Sequence, residues 1–189
     1  MTGDEKTQND LCRIGTTVAG HDQLTARDRA TAYCAAREIV PDFANLLGMG
    51  QEGSVWPTSR KTAIKVFDRE SNFQTELVCY EILREHSVWE LDGFTIPQLV
   101  DSDNDFLIVE MTIVSPPFIL DFGKAYINQR PDFEESVMED YEAERCEWFE
   151  GNWDLVCSAV SSLEAYGIFY CDARPGNIDC RNHPHANGG

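Results

Sequence analysis

The chain has 189 residues, 42% of them hydrophobic, and a formal net charge of −18. That is enough apolar material for one domain with a real core, which excludes wholesale disorder. So acidic a surface repels phosphate backbones and anionic lipid, so binding to nucleic acid or a membrane surface is disfavoured.

Taken in chain order, residues 1–22 read as a mobile polar tail. "MTGDEKTQND" has none of the character of a secretory signal. Residues 23–42 hold a helix, "TARDRATAYCAAREIV", with Thr25 as N-cap and Pro41 after its end. From 43 to 112 the pattern is strand, strand, strand, helix, strand, strand. "ANLLGMG" and "GSVW" are the arms of a hairpin, and "TAIKVF" alternates as a third strand. "NFQTELVCYEILREH" carries Phe73, Leu77, Tyr80 and Leu83 at helical spacing. "TIPQLVDSDNDFLIVEMTIV" supplies two more strands around the turn Asp101 to Asp105. Its apolar run is broken by Glu110, so it is no membrane span. Residues 113–180 start with a proline-rich linker, "SPPFILDFGKAYINQRPDF". Two helices follow, the first strongly acidic, and then the turn-rich "IFYCDARPGNIDCRNHPHANGG". Residues 181–189 read as a second mobile tail.

Seven cysteines, Cys12, Cys34, Cys79, Cys146, Cys157, Cys171 and Cys180, form no C-x-x-C pair. An odd, scattered set predicts reduced thiols and a cytoplasmic location. Cys171, Cys180, His183 and His185 match no standard zinc spacing and are not taken as a site.

Three stretches carry chemistry. In "GMGQEGSV", Gly48, Gly50 and Gly53 lie between two strands, and Val55 follows. No helix opens after Gly53, so a dinucleotide fold is excluded. A hairpin whose backbone covers phosphates fits better. Lys65 sits in an apolar strand twelve residues later, where it needs a carboxylate partner. Glu76 is preferred over Glu81, because Tyr80 and Leu83 turn the same helix face inward. Finally, "YCDARPGNI" sets Asp172 five residues before Asn177, around a rigid Pro175–Gly176 turn. Such a pair suits orientation of a hydroxyl nucleophile by the acid and cation binding by the amide.

In this order and spacing, the motifs resemble the protein-kinase-like superfamily, particularly its atypical bacterial-type and aminoglycoside-phosphotransferase-like members, over residues 43 to 178. The resemblance implies an α+β fold: a five-stranded antiparallel N-lobe sheet with one main helix, then a truncated helical C-lobe. It implies ATP and Mg²⁺ as cofactors and phosphoryl transfer to a hydroxyl acceptor, protein or small molecule. It makes Asp172, Lys65 and Glu76 catalytic and Asn177 the metal ligand. Gly48, Gly50, Gly53, Val55 and Lys65 would bind the nucleotide. "LIVEMTIV" would be the hinge, the Glu110 carbonyl and Thr112 amide holding adenine and Val109 acting as gatekeeper. Tyr170 stands where protein kinases carry histidine. The family's metal-binding D-F-G follows the catalytic asparagine, and no such motif follows Asn177. The "DFG" at Asp121 to Gly123 precedes Asp172 by fifty-one residues and is expected to be a linker turn outside the site. A cation held by Asn177 alone predicts weak ATP binding and slow transfer. The alternative is a catalytically impaired pseudokinase serving as a nucleotide-binding or protein-interaction module.

Overall fold

A computed structural model describes residues 24–186. The expected tail at 1–22 lies outside them. Helix α1 (Ala26–Ala36) opens on a capping box, with Thr25 and Asp28 satisfying each other's backbone N–H groups. Three strands follow: β1 (Gly48–Gly50), β2 (Gly53–Pro57) and β3 (Thr62–Phe67). Helix α2 (Glu70–Glu85) comes next. Then come the short strands β4 (Glu90–Leu91) and β5 (Phe94–Thr95), and the longer β6 (Leu99–Asp103) and β7 (Ile108–Thr112).

The main sheet has the order β1-β2-β3-β7-β6 and is antiparallel throughout. The five-stranded antiparallel sheet expected for residues 43–112 is therefore present. Both of its faces are covered. Ala30, Tyr33 and Cys34 of α1 pack with Trp56, Ile64, Val66 and Ile108 on one side. Phe73, Leu77, Tyr80 and Leu83 of α2 pack with Ala63, Phe67, Val109 and Met111 on the other. Strand alternation explains the division. Ala63, Lys65 and Phe67 face α2, whereas Ile64 and Val66 face α1. A strand buried on both faces carries only one charge, Lys65, and α2 must answer it.

The segment read as an irregular linker is ordered by three short pairings. It contains β8 (Phe118–Ile119) and β9 (Tyr126–Ile127). After it come α3 (Glu135–Phe149), a 3₁₀ turn at Glu150–Asn152, α4 (Trp153–Glu164), β10 (Ile168–Phe169) and β11 (Ile178–Asp179). Strand β9 pairs with β10, and β8 pairs antiparallel with β11. Strand β5 pairs in parallel with β8, which ties this half to the main sheet's side of the molecule. Helix α4 buries Val156, Ala159 and Leu163, spaced three and four apart. Helix α3 buries only Arg145 and Phe149 and turns its acidic residues outward.

Residues 181–186 are not the free tail expected. The His183 ring is buried, lies tilted against the Phe94 ring with centroids 4.6 Å apart and bonds the Asp92 carbonyl at 2.7 Å through Nε2. An aromatic face and the Asp92 carbonyl outweigh the local polarity of the segment. No helix among the described residues is long and apolar enough to cross a membrane.

Candidate functional site

The site lies in a cleft of about 830 Å³ between the main sheet and the β8–β11 half. The β1–β2 hairpin forms its roof. Gly50 pairs with Gly53 across the turn, and Gly48 pairs with Val55. Gly53 adopts φ +150°, and a Cβ there would meet the Val66 carbonyl oxygen at 2.0 Å. Only glycine lets the hairpin approach β3 this closely. The strand–turn–strand expected for Gly48 to Val55 is present.

Lys65 points beneath that roof and is nearly fully buried. Its Nζ donates to Glu76 Oε2 at 2.6 Å and to Asp121 Oδ1 at 2.8 Å. Burial alone would push the ammonium's pKa down. The Glu76 and Asp121 carboxylates outweigh it and hold the ammonium charged, above its ordinary value. Complete burial raises Glu76 to about 7, against the pull of Lys65. The expected Lys65–Glu76 pair forms, and Glu81 has no part in it.

Asp121 requires a correction. The "DFG" was expected to turn outside the site because it precedes Asp172 in the chain. Spatial pairing overrides chain order. Ile119 of β8 lies opposite Ile178 of β11, the residue after Asn177, and the Leu120 amide donates to the Asn177 carbonyl at 2.9 Å. The Tyr170 hydroxyl donates to the Leu120 carbonyl at 2.9 Å. Phe122 is fully buried and packs edge-on against both Tyr80 and Tyr170. Asp121 itself takes φ +66°, a left-handed conformation that aspartate tolerates better than most residues. This anchored turn delivers its carboxylate to Lys65. Burial opposes ionisation of Asp121, but Lys65 prevails and keeps its pKa below the usual value.

Across the cleft, the Asn177 amide donates to the Asp172 carbonyl at 3.0 Å and to its carboxylate at 3.1 Å. That uses the NH₂ group and leaves the amide oxygen for a cation. Arg145 Nε holds the Ala173 carbonyl at 3.1 Å and fixes the loop from α3. Lys124 and Arg174 flank Asp172 at 3.3 and 3.6 Å.

Of the two residues expected to hold adenine, Thr112 lines the cleft and Glu110 does not. The Glu110 side chain turns away from the cleft, toward α1, where Tyr33 donates to it at 2.8 Å and Arg60 at 2.6 Å, with Thr62 also bonded. Its backbone lies in the middle of the sheet, between Ile64 and Asp101. The Thr112 amide is taken by the Gln98 carbonyl at 2.9 Å. Val109 packs against α2 in the core, and Met111, bonded by the Tyr80 hydroxyl at 3.4 Å, is the residue that reaches the cleft wall. The wall runs on through Thr112, Ile113 and Val114, within the stretch "LIVEMTIV". A strand pattern specifies which residues share a face, not where the strand leaves the sheet.

Sequence reasoning also passed over Glu52, Lys124 and Arg174. Glu52 hangs from the hairpin roof into the cleft, 3.5 Å from Lys65 and 3.4 Å from Lys124. Burial and the adjacent Asp121 raise its pKa. Its position within the glycine loop was the available signal. One carboxylate oxygen each from Glu52, Asp121 and Asp172 lie within 4.8 Å of one another. No protein-family model matches this chain, and no curated protein matches it in sequence.

Proposed function

We propose that the chain is a protein-kinase-like phosphotransferase that binds ATP with a divalent cation and transfers the terminal phosphoryl group to a hydroxyl. One observation carries the reading: Lys65, clamped between Glu76 and Asp121 under a glycine hairpin, faces a loop that presents Asp172 and Asn177. Order along the chain differs from the resemblance, because the acid expected after Asn177 is supplied by Asp121 before it. The premise that Asn177 would hold a cation alone therefore falls away.

The donor set fits magnesium. Asp121 and Asp172 offer carboxylate oxygens and Asn177 an amide oxygen, the hard ligands this ion takes. Asp121 and Asn177 would hold it, and when bound it neutralises charge on the phosphates. The hairpin amides cover the triphosphate while Lys65 offsets its negative charge, and Glu76 keeps Lys65 in place. Asp172 orients the acceptor hydroxyl and takes up its proton. Arg174, 3.6 Å from both Asp121 and Asp172, spreads the positive field across the transfer site. Catalysis of this kind is mostly positioning and charge neutralisation.

Glu52 favours a second reading, a catalytically impaired nucleotide-binding or interaction module. Its carboxylate lies against Lys65, on ground that phosphate oxygens would need.

Both readings are tested by release of ADP from Mg²⁺–ATP, with water and a panel of small-molecule and protein hydroxyls as acceptors. The enzyme reading expects turnover that Asp172→Asn lowers by about 10²–10⁴-fold, the usual worth of a positioned base. ATP binding without turnover in the wild type would select the impaired module.

A further inference from the structure

Glu52 is the least satisfied charged group in the cleft. Its residue is 5% exposed, and neither carboxylate oxygen has a hydrogen-bond partner. A buried carboxylate without hydrogen bonds is costly, so something must compensate it. Lys65 does so poorly, because it already donates to Glu76 and Asp121 at shorter range. Lys124 approaches only to 3.4 Å and is 43% exposed, free to swing into solvent. Gly123 adds a second indication. A Cβ at that position would lie 2.5 Å from Glu52 Oε2, so the chain leaves room there for the carboxylate.

With every group ionised, the charges around this point do not balance. Glu52, Glu76, Asp121 and Asp172 face Lys65, Lys124 and Arg174, which leaves one negative charge over. Three of those carboxylates bring an oxygen within 4.8 Å of one another. Opposite ligands of a magnesium or calcium ion stand about 4–5 Å apart, so one ion can span the set with small shifts. All the donors are hard oxygens, which selects Mg²⁺, Mn²⁺ or Ca²⁺ over softer metals.

We propose that Glu52, Asp121 and Asp172 form a divalent-cation site that fills without nucleotide and draws the glycine hairpin down onto the opposite wall. Glu52 is the new element, a metal ligand carried by the phosphate-covering loop itself. The ion supplies Glu52 with a contact closer than its ion pairs at 3.4 and 3.5 Å. It also links closure of the roof to cation concentration, since Glu52 lies on the hairpin turn and Asp121 and Asp172 belong to the other half. The inference builds on the proposed phosphotransfer cleft, yet a nucleotide-free measurement decides it.

The test is titration of the nucleotide-free chain with Mn²⁺, free ion being read by electron paramagnetic resonance. The wild type should bind one ion per chain. Glu52→Gln, which keeps the shape and removes the charge, should weaken binding at least about tenfold, as should Asp121→Asn. Circular dichroism and melting temperature should show Glu52→Gln still folded. Should that variant fail to fold, amide hydrogen exchange of the wild type decides: Mg²⁺ alone should slow exchange over residues 48–53. No Mn²⁺ bound without nucleotide, equal binding by a folded Glu52→Gln, or hairpin exchange indifferent to Mg²⁺ would each overturn the proposal. ATP binding is measured in parallel on the same samples. Its absence beside normal Mn²⁺ binding would sink the phosphotransfer reading and leave this site standing.

Discussion

Replacing Lys65 by methionine keeps the length and apolar stem of the side chain and deletes its charge. The structure sets the consequence. The ammonium lies 2.6 Å from Glu76 and 2.8 Å from Asp121, and the Lys65 and Glu76 side chains are 7% and 1% exposed. At an effective dielectric of about 20, each contact is worth on the order of 6 kcal/mol before desolvation. Much of that only offsets the cost of burying the charges. Removing one partner of a buried pair nevertheless costs about 3–5 kcal/mol, because the carboxylates stay behind uncompensated. For a chain of this size that lowers the melting temperature by roughly 6–20 °C. Urea unfolding followed by circular dichroism gives the free energy, and scanning calorimetry gives the temperature. The double variant Lys65→Met, Glu76→Leu should regain part of the loss, since the most deeply buried carboxylate leaves with its partner. A single variant within about 0.5 kcal/mol of the wild type would refute the clamp as a buried, charged pair.

Other consequences are equally open to measurement. Gly53→Ala should strongly destabilise the hairpin, because its Cβ would meet the Val66 carbonyl at 2.0 Å; unchanged urea stability would contradict that packing. Leu163→Ala, at a fully buried position in α4, should cost about 2–5 kcal/mol by the same assay. Arg37 joins the end of α1 to β6 through Asp101 at 2.6 Å. Burial works against ionisation of Asp101, but Arg37 outweighs it and keeps the folded pKa below the unfolded one. The stability it contributes is present above about pH 4 and is lost as pH falls through the depressed folded value. Asp101 is 44% exposed, so Arg37→Ala should cost about 0.5–1 kcal/mol at neutral pH and flatten that part of the acid limb.

The features that sequence made legible are local ones. Alternation in "TAIKVF" puts Lys65 on the same face as Ala63 and Phe67, and helical spacing puts Glu76 on the same face as Phe73, Leu77 and Tyr80. Two short-range patterns were enough to pair them. Asp121 was misplaced because its position rests on one non-local event, the pairing of β8 with β11 across the whole of α3 and α4. Each of those strands is two residues long, too short for any periodicity to announce it. Which residues of "LIVEMTIV" line the cleft was open for a related reason. Val109 and Met111 share a face of β7, and only the end of the strand's pairing decides which of them meets the cleft. His183 was read from its polar surroundings, whereas the Phe94 ring that buries it lies far away in sequence.

The central claim is the proposal that this cleft holds a nucleoside triphosphate together with a divalent cation, through Lys65 and through an aspartate that precedes the Asp172–Asn177 loop. Calorimetric titration of the wild type and Asp121→Asn with a non-hydrolysable ATP analogue, in saturating Mg²⁺, tests it most directly. The account predicts saturable binding at one site in the wild type and binding at least about tenfold weaker in the folded variant. A wild type that takes up no analogue at millimolar concentrations, or an Asp121→Asn that binds it equally well, would contradict it.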